Sequence, residues 1–178
     1  ISFSSTIPSE GKSLTSIFIA KTNAELKKRV LLIDADLRKP RLNVKLNLDN
    51  IRGLSNLLND QDLAWENVVK KIDSNFHIIT SGFIPPDPTR LLNSTRMKSL
   101  ISEIKESKIY DLIIFDTPPI FGLADSLLIS QHLDGLCLVV STSKVDRDLP
   151  LKVIDKLRKS NSKLLGIVVN SPIMNIKS

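Results

Sequence analysis

The sequence predicts a doubly wound α/β domain, in which helices flank a mostly parallel sheet. Short continuous apolar runs, typical of parallel strands buried on both faces, alternate with helical patterns along the chain. A turn ending in Gly-Lys-Ser at 11–13 separates the first apolar run from the first helical pattern. We therefore expect residues 1–178 to form a single domain of this class.

Six strands follow from the apolar runs, and seven helical segments follow from the stretches between them. The predicted strands are 1–3, 29–34, 76–80, 112–115, 135–141 and 164–169. The predicted helices are 14–26, 53–58, 63–69, 91–92, 94–106, 124–131 and 149–159. Asp87 and Pro88 have the character of an N-cap and a first helical residue, so a helix is expected to begin there.

Composition and charge exclude several classes of function. With one cysteine and two histidines in 178 residues, neither a disulfide framework nor a transition-metal site is expected. The net charge of +6 permits an anionic partner without requiring one. No apolar run approaches the roughly 18 residues that span a membrane. Because the chain begins at Ile1, almost inside a strand, we expect a fragment whose upstream part could carry an anchor.

The segment 8–13, Pro-Ser-Glu-Gly-Lys-Ser, has the pattern of a phosphate-binding loop. Backbone N–H groups in such a loop surround an anion, and the helix that follows adds its positive end. Gly11 would allow close approach, Lys12 would supply a charge from an exposed position, and Ser13 could ligate Mg²⁺. The pattern asks for glycine where Thr6 stands, so an ordinary exposed turn remains the alternative for this segment alone.

Aspartates follow two of the predicted strands. Asp34 and Asp36 come after the second strand, and Asp116 comes after the fourth. Because ligands bind at the carboxyl edge of open α/β sheets, these carboxylates are expected to converge with the phosphate loop. Such groups can hold a Mg²⁺ water shell or accept a proton from a hydroxyl, which predicts a nucleotide site.

Three segments together resemble the motifs of the bacterial tyrosine kinases of capsular and exopolysaccharide synthesis. Glu-Gly-Lys-Ser at 10–13 resembles their Walker A motif, and Leu-Leu-Ile-Asp-Ala-Asp-Leu-Arg at 31–38 resembles Walker A′. Ile-Phe-Asp-Thr-Pro-Pro at 114–119 resembles Walker B. Further matches at 53–58, 84–88, 124–125 and 166–170 extend the resemblance over essentially the whole chain. The fold implied is that of P-loop NTPases related to MinD and ParA.

The resemblance implies an ATP-dependent protein-tyrosine kinase that uses Mg²⁺ and autophosphorylates in trans. The implied catalytic residues are Lys12, Asp34, Asp36 and Asp116, and the implied metal ligands are Ser13, Asp34 and Asp116. The implied nucleotide-binding residues are Pro8, Ser9, Glu10, Gly11, Lys12, Ser13, Leu14 and Asn170, of which Asn170 would contact the adenine. Asp34 and Asp36 are the candidates to engage the attacking hydroxyl.

The resemblance also implies partners and a location. It implies a membrane-anchored polysaccharide chain-length protein as activator, fused upstream or separate, and the tyrosine-bearing tail of a sister subunit. It further implies a homo-oligomer at the cytoplasmic face of the plasma membrane, and it implies no nucleic-acid partner. This chain has one tyrosine, Tyr110, for which we expect a structural role. Ser9 stands where many members of the family have glycine. Because both residues are small, we expect this exchange to have no consequence.

Two other functions remain open at this point. Switch ATPases that position chromosomes or division sites share the fold, but they carry an extra lysine early in the phosphate loop, where this chain has Ile7. A non-catalytic regulator that binds ATP and assists the assembly of polysaccharide export machinery is compatible with every motif. Formation of phosphotyrosine from labelled ATP would separate the three.

Overall fold

A seven-stranded sheet forms the centre of the computed structural model, in which residues 1–170 are described. The strands are β1 (Ser2–Ser5), β2 (Val30–Asp34), β3 (Lys70–Lys71), β4 (Phe76–Ile79), β5 (Leu112–Asp116), β6 (Leu136–Ser141) and β7 (Leu164–Asn170). Their order across the sheet is β3-β4-β2-β5-β1-β6-β7. Every neighbouring pair is parallel except β3 and β4. Parallel neighbours that are distant in sequence require the helical crossovers of a doubly wound fold.

Helices cover both faces of the sheet. They are α1 (Lys12–Glu25), α2 (Leu42–Lys45), α3 (Leu54–Asn59), α4 (Pro88–Leu92), α5 (Thr95–Glu106), α6 (Asp125–Ser130) and α7 (Asp148–Lys159). A single 3-10 turn, Trp65–Val68, precedes β3. No helix within residues 1–170 combines the length and the apolar character needed to cross a membrane.

Alternating strand residues build a core on each face. Leu31 and Ile33 of β2 point into a cluster with Leu57 of α3 and Leu100 of α5. Leu32 lies between them in sequence and faces the other way, into the cluster that includes Ala20 of α1. A third cluster joins α6 and α7 to β6. Burial on both faces explains why these strands are continuous apolar runs in the sequence.

The predicted fold class and all six predicted strands are confirmed. Two elements were missed: β3 is only two lysines long, and α2 is one turn in which Leu42 alone is buried. Elements so short show no hydrophobic period, so no sequence pattern could reveal them. The helix predicted at 63–69 is only the 3-10 turn.

Candidate active site

The three motifs meet at the carboxyl edge of the sheet, as the sequence predicted. Asp34 and Asp116 end β2 and β5 and are direct neighbours in the register of these adjacent strands. The phosphate loop leaves β1, which pairs with β5 on its other side. The order of the central strands therefore brings segments more than eighty residues apart into one site.

The phosphate loop contains two residues in the left-handed region of backbone space. Gly11 has φ +98° and ends the loop, so that α1 begins at Lys12. This positive φ favours glycine, and a Cβ at this position would also require the end of the Asn170 side chain to shift. Ser9 has φ +67°, a conformation that costs a side-chain-bearing residue free energy. A glycine at position 9 would therefore relieve strain, contrary to our expectation that the exchange has no consequence.

The side chain of Glu10 braces the loop. It is completely buried, and its two carboxylate oxygens accept hydrogen bonds from Ile7 N at 2.7 Å and Ser141 N at 2.8 Å. Asn170 Nδ2 donates to Glu10 O at 2.8 Å from the end of β7. The sequence pointed to the loop backbone, but it gave no sign that β6 and β7 hold the loop in shape. Pro8 and Leu14, at either end of the predicted nucleotide-binding set, are exposed.

Lys12 is buried, which corrects the expectation that it would be exposed. The residue is 7% exposed, and its Nζ lies 2.9 Å from Asp36 Oδ2 and 3.6 Å from Asp116 Oδ1. Burial favours the neutral amine, but the charges of Asp116 and Asp36 outweigh it, so the pKa of Lys12 is raised. Nζ also donates to Ser13 Oγ at 3.3 Å, which places the two predicted phosphate-site side chains together.

Asp34 uses both carboxylate oxygens within the protein. Its Oδ1 accepts from Asp36 N at 3.2 Å and its Oδ2 accepts from Leu42 N at 3.1 Å. Burial, supported by the neighbouring charge of Asp116, raises the pKa of Asp34 to about 7. The side chain thus organises the turn after β2 and faces the centre of the site as a weakly acidic group.

Asp36 and Asp116 differ in how fully they are paired. Asp36 Oδ1 accepts from Lys39 N at 3.1 Å, and its Oδ2 holds Lys12. Asp116 Oδ1 lies near Lys12 and accepts a long hydrogen bond of 3.4 Å from Ser16 Oγ. Asp116 Oδ2 is buried and has no partner among the described residues. Burial raises the pKa of Asp116, and the charge of Lys12 only partly offsets this loss of water.

The site therefore carries an excess of buried negative charge. One lysine faces three carboxylates, and all four residues are buried. Within residues 1–170 no group of three or more His, Cys, Asp or Glu side chains is arranged to hold a metal by itself. The donor atoms that fit a hard divalent cation are the free Asp116 Oδ2 and the Ser13 hydroxyl, which suits Mg²⁺, an ion that keeps waters and takes oxygens from its substrate.

Tyr110 lies at the opposite edge of the sheet. It lies two residues before β5, and its hydroxyl is 2.8 Å from His77 Nδ1. Its ring is tilted against Trp65 at a centroid distance of 6.1 Å. Desolvation raises the pKa of Tyr110, as expected for a packed phenol. These contacts are those of a structural residue.

Several known proteins resemble this chain in sequence and in structure. A family profile described as an AAA domain matches residues 1–141. Tyrosine-protein kinase YwqD of Bacillus subtilis is 39% identical over 170 residues, which cover 96% of this chain and 71% of that protein. The kinase domain of the Escherichia coli tyrosine kinase ETK superimposes with a TM-score of 0.91 at 27% identity, over 99% of this chain and 69% of the other. The site thus belongs to a P-loop ATPase fold.

This chain belongs to the family of bacterial tyrosine-protein kinases. A septum site-determining protein MinD from Pyrococcus horikoshii, complexed with Mg-ADP, also superimposes, with a TM-score of 0.75. At 21% identity over 95% of this chain and 68% of that one, this likeness concerns the fold alone. The MinD protein therefore shares the fold of this chain, and the likeness says nothing of a shared activity.

Proposed function

We propose that this protein binds ATP together with Mg²⁺ and transfers the γ-phosphoryl group to a tyrosine hydroxyl of a protein substrate. The observation that carries the proposal is the buried cluster at the phosphate loop, in which Lys12 lies among three carboxylates and Asp116 Oδ2 has no described partner. Such a cluster is poorly satisfied alone and becomes satisfied when a polyphosphate and a divalent cation arrive together.

Each residue has a role that its position supports. The loop N–H groups and Lys12 would bind the phosphates, and Ser13 with Asp116 Oδ2 would face the metal. Asp34, whose oxygens already accept two backbone N–H groups, would contact the metal through water. When bound, Mg²⁺ supplies charge neutralisation for the phosphoryl oxygens. Asn170 already fixes the loop through Nδ2, and we propose that its Oδ1 contacts the adenine.

Lys12 would change partners during the reaction. In this structure its ammonium group covers Asp36 Oδ2. Phosphates attract the ammonium group and leave Asp36 free to accept a proton. The tyrosine oxygen then forms a bond to the γ-phosphorus while the bond to the leaving oxygen of ADP breaks, and the tyrosine proton passes to Asp36. Because free tyrosine has a pKa near 10, a positioned base is needed at neutral pH.

The family resemblance supports further proposals about the setting of the enzyme. We propose that residues 1–178 form one kinase domain at the cytoplasmic face of the plasma membrane, in the control of exopolysaccharide or capsule synthesis and export. The activator would be a membrane-anchored polysaccharide chain-length protein, fused or separate. Autophosphorylation in trans would use the tyrosine-bearing tail of a sister subunit in a homo-oligomer, and no nucleic acid would take part.

The test is formation of phosphotyrosine. The chain is incubated with γ-labelled ATP, Mg²⁺, a tyrosine-bearing tail peptide and the cytoplasmic segment of the activator. We expect labelled phosphotyrosine, and we expect Lys12→Met to lower its formation by at least roughly 10³-fold, because the phosphates lose their buried charge partner. Lys21→Met is the matched control, since Lys21 is an exposed lysine on the same helix.

The outcomes separate the candidate functions. Full labelling by Lys12→Met would contradict the assignment of this loop. ATP binding without any phosphotyrosine in the wild type would favour a non-catalytic regulator, and ATP hydrolysis alone would favour a switch ATPase. Lys12→Met leaves Asp36 and Asp116 buried without their cation, which could destabilise the fold. Circular dichroism of this variant therefore decides whether a loss of activity reflects lost chemistry or lost structure.

A further inference from the structure

A triangle of side chains joins the loop after β2 to the first turns of two helices, α4 and α6. Arg38 follows β2, Thr89 lies in the first turn of α4, and Asp125 begins α6. Arg38 Nε donates to Asp125 Oδ2 at 2.6 Å, and Arg38 Nη2 donates to Thr89 Oγ1 at 2.8 Å. The Thr89 hydroxyl donates to Asp125 Oδ1 at 2.7 Å. Each side chain thus contacts both of the others.

The triangle is anchored by a buried carboxylate. The side chain of Asp125 is 1% exposed, whereas that of Arg38 is 36% exposed. A buried carboxylate without a cation is costly, so Arg38 is strongly held in this orientation. The planar guanidinium group serves both partners at once, and the single ammonium group of a lysine could not reproduce that geometry.

Arg38 belongs to the same turn as Asp36. The hydrogen bond from Lys39 N to Asp36 Oδ1, at 3.1 Å, closes the four-residue turn 36–39. Arg38 is the third residue of this turn, and its anchored side chain restricts how far the turn can rotate. The other oxygen of Asp36 points to Lys12, 2.9 Å away. The triangle is therefore connected to the phosphate site through the backbone of this turn.

We propose that Arg38, held by Asp125 and Thr89, is a positioning residue that fixes the Asp36 turn relative to the phosphate loop. The inference rests on the proposed function, because it assumes that Asp36 accepts the tyrosine proton. Arg38 itself touches neither Lys12 nor the loop in this structure. Since a displacement of about 1 Å in a reacting geometry can cost about 10²-fold, loss of the triangle should lower kcat and leave ATP binding nearly unchanged.

The kinetic test compares Arg38→Gln, Arg38→Lys and the near-isosteric Thr89→Val with Lys39→Gln. Lys39→Gln is the matched control, because it removes an adjacent exposed charge that makes no ion pair among the described residues. We expect Arg38→Gln to lower kcat about tenfold or more, with KM for ATP within about threefold of the wild type. We expect Arg38→Lys and Thr89→Val to lie between Arg38→Gln and the control. Unchanged kcat in Arg38→Gln would overturn the proposal, as would a loss of kcat explained by a lower folded fraction in thermal unfolding.

A second measurement does not depend on activity. Amide hydrogen exchange of residue 39 in the nucleotide-free protein reports whether the turn 36–39 is held. We expect its protection factor to fall about tenfold or more in Arg38→Gln and in Thr89→Val but not in Lys39→Gln, while Leu32 in β2 stays protected in all. Equal protection at residue 39 in every variant would refute the positioning role. If the wild type forms no phosphotyrosine, the proposed function fails, and exchange alone decides the inference.

Discussion

The two ends of the β2–β5 strand pair differ in how they treat charge. At the amino end, Arg29 and Asp111 form an ion pair with Nη2 2.7 Å from Oδ1, and their side chains are 51% and 36% exposed. At the carboxyl end, five residues further along each strand, Asp34 and Asp116 lie side by side and are completely buried. Asp111, which directly precedes β5, and Asp116, which ends it, therefore lie in different environments.

This contrast separates a structural pair from a binding site. Hydrogen bonds from the Arg29 side chain and backbone N–H lower the pKa of Asp111, because they stabilise its charged form. Burial raises the pKa of Asp34 and Asp116, because only Lys12 compensates three carboxylates. Buried carboxylates that lack enough cations in the free protein, at the sheet edge where ligands bind, indicate a functional site.

The largest expected effect at the carboxyl end, after that of Lys12, belongs to Asp36. We expect Asp36→Asn to lower tyrosine phosphorylation by about 10²-fold or more, because the amide cannot accept the proton. ATP affinity should stay within about threefold or become tighter, since Lys12 loses a competing partner and Ser13 and Asp116 persist. Phosphopeptide kinetics and calorimetry with ATP measure the two quantities. Equal loss of binding and transfer would move the general-base role to Asp34 or to water.

A smaller effect is expected from the metal and Asp116. We expect ATP affinity to fall about tenfold when EDTA replaces Mg²⁺, and Asp116→Asn to weaken binding of Mg-ATP by a similar factor, equivalent to about 1.4 kcal/mol. Asp111→Asn is the matched control, because it removes the same charge from the other end of the same strand. Calorimetry that finds one affinity in EDTA and in Mg²⁺ would contradict the metal assignment.

The pH dependence of stability should also distinguish the ends. The pKa of Asp34 is raised to about 7 in the folded protein, so the folded state binds a proton that the unfolded chain, with an ordinary aspartate, releases. In EDTA, the contribution of Asp34 to the free energy of unfolding should therefore grow as the pH falls from about 7 towards 4, by at most about 1.4 kcal/mol per pH unit. Asp111, whose pKa is lowered in the folded protein, adds a slope of the opposite sign only near pH 4, where the unfolded chain begins to bind a proton.

Urea unfolding of the wild type and of Asp34→Asn measures this contribution. Burial lowers the pKa of His77 and His132, which gives a slope of opposite sign near pH 6, but the histidines act equally in both proteins. The difference between the two unfolding free energies reports Asp34 together with its electrostatic interaction with the adjacent Asp116. A difference that does not vary between pH 5 and 8 would show that Asp34 titrates as an ordinary carboxyl group.

The sequence could predict the sheet and the edge at which the site lies, because both depend on local patterns. Buried runs such as 31–33 define strands, and carboxylates that follow such runs must lie at the carboxyl edge. It could not predict that Lys12 is buried, because its two partners come from separate loops. The contacts of Arg38 with Asp125 and of Asn170 with Glu10 span 87 and 160 positions and left no local trace.

Ser9 shows a different kind of limit. Comparison by side-chain size treats serine and glycine as equivalent, whereas the backbone at φ +67° does not. The left-handed conformation costs a residue with a Cβ roughly 1 kcal/mol or more, and glycine has no such cost. Sequence patterns report which residue is present, and only coordinates report the conformation that the residue must adopt.

The smallest effect is expected at the amino end. Arg29→Gln removes the guanidinium group but keeps the hydrogen bond from Asp111 N to Arg29 O and that from Arg29 N to Asp111 Oδ2. Because exposed ion pairs contribute little, we expect the thermal midpoint to change by about 2 °C or less, with ATP affinity and phosphotyrosine formation unchanged. Lys28→Gln is the matched control, since it removes one exposed charge from the same segment without removing an ion pair. A larger loss in Arg29→Gln than in Lys28→Gln, above all a loss of activity, would mean that the amino end of the strand pair takes part in function, and the contrast between the two ends would fail.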